Sequence, residues 1–366
     1  MAPRPSAVEP PGAASAARPV ARERSGRAGP GGVRPPLVSV LVPVRDEEPY
    51  LAEALDSLAA QTLEDFEAIV VDDGSTDGSA EIAAGVAAAD PRFRLVRQER
   101  AGVVAAAERA RRLARGRFVA CMDGDDRSRP RRLEVQLEAV EREGLTVCGG
   151  QVAYFGAGRV GDGLRRYERW LNSLTTVEAA ARDVFVESPI ANPALFVRRE
   201  ALDAVGGYRE TAWPEDYDLV LRLWRAGARF RNVTEVVLDW RDHSHRLSRT
   251  SERYSTEAFA RCKVHHLRET LLAVRPAAVW GAGPVGKLYA RELLRAGVEV
   301  AAFVDVDPRK LGKVVYGLPV LPHPAAPGRE EAVALGCVAG APARKRLRSL
   351  ARDQGRTEGV DFVALA

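Results

Sequence analysis

A chain of 366 residues, 46% hydrophobic and 28% charged, has ordinary globular composition and is long enough for two cores. Its net charge of +4 resides in residues 1–36, because removing their six Arg and two Glu leaves 48 basic against 48 acidic residues. A neutral body without an aromatic-basic patch excludes nucleic acid as the expected partner, and no run of about 18 apolar residues is present to span a membrane.

Residues 1–36 (MAPRPSAVEPPGAASAARPVARERSGRAGPGGVRPP) lack the continuous apolar stretch of a secretory signal. Such a Pro, Gly, Ala and Arg-rich segment buries too little apolar surface to offset chain entropy, so a disordered tail is expected. At most its basic residues give peripheral contact with an anionic membrane. Cys121, Cys148, Cys262 and Cys337 form no C-x-x-C pair. That argues against a structural zinc or disulfide framework and fits a cytoplasmic location, with the inner face of the membrane as the alternative.

From Leu37 the pattern changes. Residues 37–42 (LVSVLV) read as a strand buried on both faces, stopped by Pro43. A helix with Leu51, Leu55 and Leu58 on one face follows. FEAIVV (66–71) is a second strand, ending in the turn DDGSTDGS, and a helix over 79–88 leads to a strand at 93–96. An Ala-rich helix at 103–115 leads to the strand RFVACM (117–122). Strands alternating with helices predict a doubly wound, mostly parallel α/β sheet, whose ligands bind beyond the strands' carboxyl ends. The polar clusters 72–79 and 123–126 lie at that edge.

Three segments there carry candidate chemistry. Asp123-Gly124-Asp125-Asp126 closes a strand, and carboxylates two apart can hold Mg²⁺ or Mn²⁺ against a pyrophosphate leaving group. The chain has three D-x-D triplets, at 123/125, 216/218 and 305/307, and only the first ends a strand facing the DDGSTD turn. In Asp72-Asp73-Gly74-Ser75-Thr76-Asp77 a strand-end carboxylate can accept hydrogen bonds from a base or ribose, while Ser75 or Asp77 can cap the next helix. Trp213-Pro214-Glu215-Asp216-Tyr217-Asp218 opens a helix, where Glu215 or Asp216 can serve as a general base or merely cap.

Together these blocks resemble glycosyltransferase family 2 over residues 37–250. The resemblance lies in LVSVLVPVRDEEPYLAEALDSLAAQT, FEAIVVDDGSTDGS, MDGDDRSRPRRLEVQ, and FVRREALDAVGGYRE followed by WPEDYDLVLRLWRAGARF, in that order. It implies a GT-A fold, a nucleoside-diphosphate-sugar donor, a divalent cation (Mn²⁺ or Mg²⁺) and inversion at the anomeric carbon. It places Pro43, Glu47 and Asp73 on the nucleoside, Asp123 and Gly124 on the donor, Asp123 and Asp125 on the metal, and Asp216 as base. In WRDHSHRLS it places His243 near metal or pyrophosphate, with His245 competing and Arg246 able to pair with phosphate. Two departures stand out: Asp46 replaces the family's common Asn, and Ala107-Glu108 replaces an Arg-Asn pair.

Residues 251–276 read as a helical linker, and 277–366 restart the alternation. Ala277–Trp280 is a strand, GAGPVG a turn, 285–296 a helix and 298–304 a strand ending at Asp305. Gly281, Gly283 and Gly286 after a strand, with Asp305 another 19 residues on, match the dinucleotide fingerprint. Only about 90 residues are present, enough for half of a Rossmann unit. The stretch resembles nucleotide-sugar-binding units of bacterial sugar acyltransferases and Rossmann-like modules on sugar-modifying enzymes, which implies a nucleotide ligand. The expected whole is a GT-A glycosyltransferase domain followed by a smaller Rossmann-like α/β domain. It would act on a glycan, lipid-linked or small hydroxyl acceptor. The alternatives are a nucleotide-sugar-binding protein without turnover and a bifunctional protein with an NAD-dependent second domain.

Overall fold

A computed structural model of the chain describes residues 34–156, 158 and 160–366, so the tail expected over 1–36 lies outside the described residues up to 33. The first elements are β1 (Val38–Val44), α1 (Glu48–Ala59), β2 (Phe66–Asp73), α2 (Ser79–Ala89), β3 (Phe93–Gln98), α3 (Val103–Leu113) and β4 (Phe118–Cys121). The apolar runs are continuous because both faces are covered. Val38, Val40 and Val42 enter one core cluster while Leu41, Ile69 and Val71 enter the other. Leu51, Leu55 and Leu58 of α1 are fully buried, each contributing about 2 kcal/mol. Pro43 does not stop β1, which runs on to Val44. β4 pairs with β1 only as far as Leu41, so on that side the missing N–H of Pro43 breaks no ladder bond.

The chain continues through β5 (Arg127–Ser128), α4 (Arg132–Glu143), β6 (Val147–Gly156), α5 (Asp162–Asn172), α6 (Val177–Asp183), β7 (Phe196–Arg198), α7 (Arg199–Ala204), α8 (Glu215–Arg225) and β8 (Phe230–Asp242). The strand order is β3-β2-β1-β4-β7-β6-β8-β5. β1 to β4 are parallel, whereas β7 is antiparallel to β4 and β5 to β8. Strand order reverses between β1 and β4, and the crevice beyond their carboxyl ends is where an open α/β sheet takes a ligand.

After α9 (Leu247–Thr250) and α10 (Thr256–Arg268) comes a second sheet. It is built from β9 (Ala277–Trp280), α11 (Pro284–Arg295), β10 (Val300–Asp305), β11 (Val314–Val315), β12 (Leu318–Pro322), β13 (Val333–Gly336), α12 (Ala341–Asp353) and β14 (Phe362–Ala364). β12, β10, β9, β13 and β14 are parallel and β11 adds an antiparallel edge, which is more than the half unit expected. β13 and β14 are only four and three residues long, too short to leave a readable period. β10 begins at Val300 rather than 298, because the Val298 N–H closes the end of α11 on the Leu293 carbonyl (2.9 Å).

The segment 251–276 is helical over Thr256–Arg268, and α10 is a packed element rather than an exposed connector. Ala260, Val264 and Leu267 share one core cluster with Leu219 and Leu223 of α8 and with Tyr289, Ala290 and Leu293 of α11. Buried Lys263 donates from Nζ to the Val186 carbonyl (2.9 Å) and the Leu365 carbonyl (3.0 Å), joining the first sheet's loops to the end of the chain. Among the described residues no helix is long and apolar enough to cross a membrane.

Candidate active site

The floor of the crevice is the β1–α1 turn. Asp46 has φ 52°, a left-handed conformation that Asn and Asp tolerate better than other side chains, which accounts for an acid where the family commonly has Asn. Its Oδ1 accepts from the Thr76 N–H (2.7 Å), tying this turn to the one after β2. Ser79 and Asp77 complete the tie by accepting the Glu47 and Glu48 N–H groups (2.8 and 3.0 Å). Asp77 thus braces the turn and also accepts from the Ser79 N–H, next to the start of α2.

Asp123 to Asp126 follow β4 directly. β5 pairs antiparallel with β8, Arg127 opposite Asp239, and this register brings the end of β8 back over the acidic turn. Asp126 is fully buried and its Oδ1 accepts the Arg241 N–H (2.7 Å). Asp125 Oδ2 lies 2.8 Å from His243 Nε2. His245 is exposed, while Arg246 is half-buried with its guanidinium 4.9 Å from the Trp240 ring centroid. Of the two histidines in WRDHSHRLS, His243 is therefore the one that meets the acids.

This cluster suits a cation. Ligand atoms of Asp123, Asp125 and Asp126 lie within 4.8 Å of one another, as do those of Glu47, Asp125 and His243. Asp126 Oδ2 and His243 Nδ1 are buried without a hydrogen-bond partner, a costly arrangement unless another group satisfies them. Loss of water, then the charge of Asp125, pushes the Asp123 carboxyl up to about 7. Glu47 is pushed to about 8 by burial and then by Asp125 and Asp123, and Asp126 well up by burial and the same neighbours. Hard oxygen ligands with one imidazole and uncompensated negative charge fit Mn²⁺ or Mg²⁺.

Across the crevice α8 presents Glu215 and Asp216. A small pocket joins the two sides, lined by Pro43, Asp123, Asn192, Tyr208 and Glu215 among others. Glu215 is buried and committed: Oε1 accepts the Tyr254 hydroxyl (2.7 Å) and Oε2 lies 3.5 Å from Arg253 Nη1. Asp216 accepts the neighbouring Tyr217 N–H (2.7 Å). Loss of water and then the charge of Glu215 push the Asp216 carboxyl up to about 8. Asp218, the other acid of this triplet, is structural, bonded to Trp213 Nε1, Arg222 Nε and His266 Nε2 at 3.1, 2.7 and 3.1 Å.

Asp73 is already engaged, its carboxylate accepting from Gln98 Nε2 (2.7 Å) and the Ala101 and Gly102 N–H groups (2.7 and 2.8 Å). It shapes the β3–α3 turn beside the crevice. Gly124 is buried against Glu47, Val44 and Leu51, with side-chain atoms 3.4–3.5 Å from where its Cβ would stand. Tyr254, Arg253 and Arg241 escape sequence reasoning, since they lie 39, 38 and 115 residues from their partners at the site. Asp126 stood in the motif, yet nothing in its spacing told it from a solvated turn acid.

In the second sheet the glycines differ in role. Gly281 has φ 116°, and a Cβ on Gly286 would fall 1.7 Å from the Gly281 carbonyl oxygen, so Gly286 lets α11 pack against the turn. Gly283 faces open space. Asp305 Oδ2 accepts the Ala282 N–H (2.8 Å) and pairs with Lys310 (2.9 Å), and Oδ1 accepts the Asp307 N–H (2.9 Å). Against the cost of burial, these partners hold its carboxyl below the usual range.

A parallel β3-β2-β1-β4 half-sheet with an acidic turn at the switch point, opposed by a carboxylate-bearing helix, is the GT-A architecture. Residues 39–206 match Glycosyl transferase family 2. The chain is 32% identical over 228 residues to EpsE of Bacillus subtilis, described as a glycosyltransferase, covering 61% of this chain and 79% of that protein. The chain therefore belongs to glycosyl transferase family 2. It is 39% identical over 114 residues to EpsJ of the same organism, covering 31% of this chain and 33%, about a third, of that protein's length. It is 26% identical over 204 residues to the chondroitin synthase of Escherichia coli, covering 56% of this chain and 28% of that protein. Residues 1–349 of S. aureus TarS, crystallised with UDP-GlcNAc, superpose with TM-score 0.51 and 20% identity over 63% of this chain and 66% of that chain, a likeness of fold.

Proposed function

We propose that the first sheet transfers a sugar from a nucleoside-diphosphate-sugar to a hydroxyl of an acceptor, with inversion, in polysaccharide assembly. The observation that carries this reading is the clustering of Asp125 with Glu47 and His243 and with Asp123 and Asp126, facing Glu215 and its neighbour Asp216 across a small pocket. The nucleoside lies against Pro43 and the β3–α3 turn held by Asp73, with Glu47 and Gly124 beneath the donor. Asp123, Asp125 and His243 would hold the divalent cation, with Glu47 and Asp126 adjoining. Held by these side chains, Mn²⁺ or Mg²⁺ would supply neutralisation of the charge that develops on the pyrophosphate leaving group.

Asp216 takes the proton from the acceptor hydroxyl as its oxygen attacks the anomeric carbon. A base poised near the working pH is effective, and the raised carboxyl supports that role. Glu215, held by Tyr254, keeps the helix end in place and repels a second negative charge. Kinship with chondroitin synthase supports a glycan acceptor, and a lipid-linked or small hydroxyl compound satisfies the same geometry. The test is release of nucleoside diphosphate from UDP- and GDP-sugars by the purified protein with Mn²⁺ and candidate acceptors. No release from any donor, with the protein folded, overturns the reading.

A further inference from the structure

The wall of the crevice that carries Asp216 holds a further acid, on the loop 183–189 that leads from α6 towards β7. This loop is pinned along its length. Trp170 Nε1 of α5 donates to Asp183 Oδ2 (2.9 Å), and the Tyr217 hydroxyl, next to Asp216 in α8, donates to the Val184 carbonyl (2.7 Å). Lys263 of α10 holds the Val186 carbonyl and Asn232 Nδ2 the Pro189 carbonyl, both at 2.9 Å. The loop is therefore fixed between α5, the start of α8 and α10.

Two side chains along it have hydrogen-bonding capacity that the protein leaves unused. Glu187 accepts the Ser188 N–H on Oε1 (3.2 Å), and among the described residues nothing bonds its Oε2. Tyr167 lies on α5 one turn before Trp170, its ring 5.6 Å from that of Trp170 and 6.2 Å from that of Trp240. Its hydroxyl likewise has no hydrogen-bond partner among the described residues. Both residues are half-buried, and neither oxygen is sealed off as the orphaned Trp240 Nε1 is. They also share a wall with the base. Burial and then the charge of Glu187 hold the Tyr167 phenol well up, with Asp216 adding to it. After burial and Glu215, Glu187 is among the charges that raise Asp216.

We propose that Glu187 and Tyr167 bind the acceptor and that this acceptor is a neutral sugar ring, one hydroxyl at Asp216 and an adjacent one at Glu187 Oε2 and the Tyr167 hydroxyl. The inference rests on the sugar-transfer reading and names the acceptor class that it left open. A ring with hydroxyls on neighbouring carbons offers two donors at once, matching two acids on one wall, whereas a simple alcohol offers one. An anionic acceptor does not suit this wall. Burial already raises the Glu187 carboxyl, which Lys263 eases only in part, and Asp216 is crowded by Glu215 as well. A further negative charge there meets repulsion that water screens poorly.

The experiment follows nucleoside diphosphate release by the full-length protein with Mn²⁺ and a donor that it turns over. The acceptors are methyl glycosides of neutral hexoses, the matched methyl uronides, and octanol. A neutral glycoside should be the best of them. Glu187→Gln keeps the side chain's size but loses the charge-assisted bond, so the acceptor KM should rise at least tenfold. The donor KM and the unfolding midpoint should stay unchanged. Tyr167→Phe should raise the acceptor KM about three- to fivefold, and it decides alone if the glutamine variant fails to fold. A uronide or octanol that outperforms every neutral glycoside overturns the proposal. So does an unchanged acceptor KM in Glu187→Gln, or a lowered unfolding midpoint with no change in that KM. Glycoside binding is measured in parallel by saturation-transfer NMR with Mn²⁺ and UDP or GDP. Glycoside binding that Glu187→Gln weakens, without release from any donor, refutes only the transfer reading. Release without glycoside binding refutes only this subsite, and absence of both refutes both.

Discussion

Asp216 and Glu215 are adjacent carboxylates at the start of α8, and replacing each by its amide separates their roles. Asp216→Asn keeps size and hydrogen bonding but removes the proton acceptor. The transfer rate should fall about 100-fold or more, the usual contribution of a general base, which is about 2.7 kcal/mol of barrier. Stability should move the other way. Burial and Glu215 raise the Asp216 carboxyl from 3.8 to about 8, so between those values the folded protein binds more protons than the unfolded chain. Stability therefore falls as pH rises through that window, and the penalty is complete above about 8 and absent below 3.8. At about 1.4 kcal/mol per tenfold the ceiling is about 6 kcal/mol. Because burial and then Glu215 disfavour the charged Asp216, a gain below that ceiling is expected in the asparagine variant. Calorimetry should show the variant melting a few degrees above the parent at pH 8.5, with the difference vanishing towards pH 4. The reasoning is refuted if Glu215→Gln abolishes transfer while Asp216→Asn spares it, or if the asparagine variant melts lower at pH 8.5.

Chelation by EDTA should abolish transfer, with recovery on adding Mn²⁺ or Mg²⁺, and Asp125→Ala should be inactive yet folded; full activity in EDTA would remove the cation from the scheme. His243→Ala deletes the nitrogen 2.8 Å from Asp125, so the Mn²⁺ concentration for half-maximal rate should rise tenfold or more. An unchanged Mn²⁺ dependence would make this histidine structural. Tyr254→Phe leaves the buried Glu215 carboxylate short of its 2.7 Å donor and should cost about 2 kcal/mol of stability. An unaltered unfolding curve would show that water replaces the phenol. Lys263→Met strands the Val186 carbonyl and leaves the Leu365 carbonyl only the Tyr289 hydroxyl, so it should destabilise the protein by about 1–3 kcal/mol. If the unfolding midpoint stays put, α10 is not the tie between the sheets that its packing indicates.

The sequence alone was enough for what depends on local pattern. Buried parallel strands need apolar residues on both faces, so LVSVLV and FEAIVV were legible as strands, and the acidic and glycine-rich turns stood out at their ends. Asp123, Asp125 and Asp216 could be singled out as candidates because motif order survives in the chain. Tertiary structure decided the rest. His243 was separated from His245 only by the pairing of β5 with β8, which carries one imidazole to Asp125 and leaves the other exposed. Asp73 proved committed to Gln98 and the Ala101 and Gly102 N–H groups, partners whose approach depends on how β3 and α3 pack. Lys263, in a segment that reads as a linker, became a buried tie because two carbonyls from distant parts of the chain converge on its ammonium. Periodicity and turn chemistry act over a few residues and are written in the sequence, whereas a hydrogen bond across 118 positions exists only once the sheet has closed.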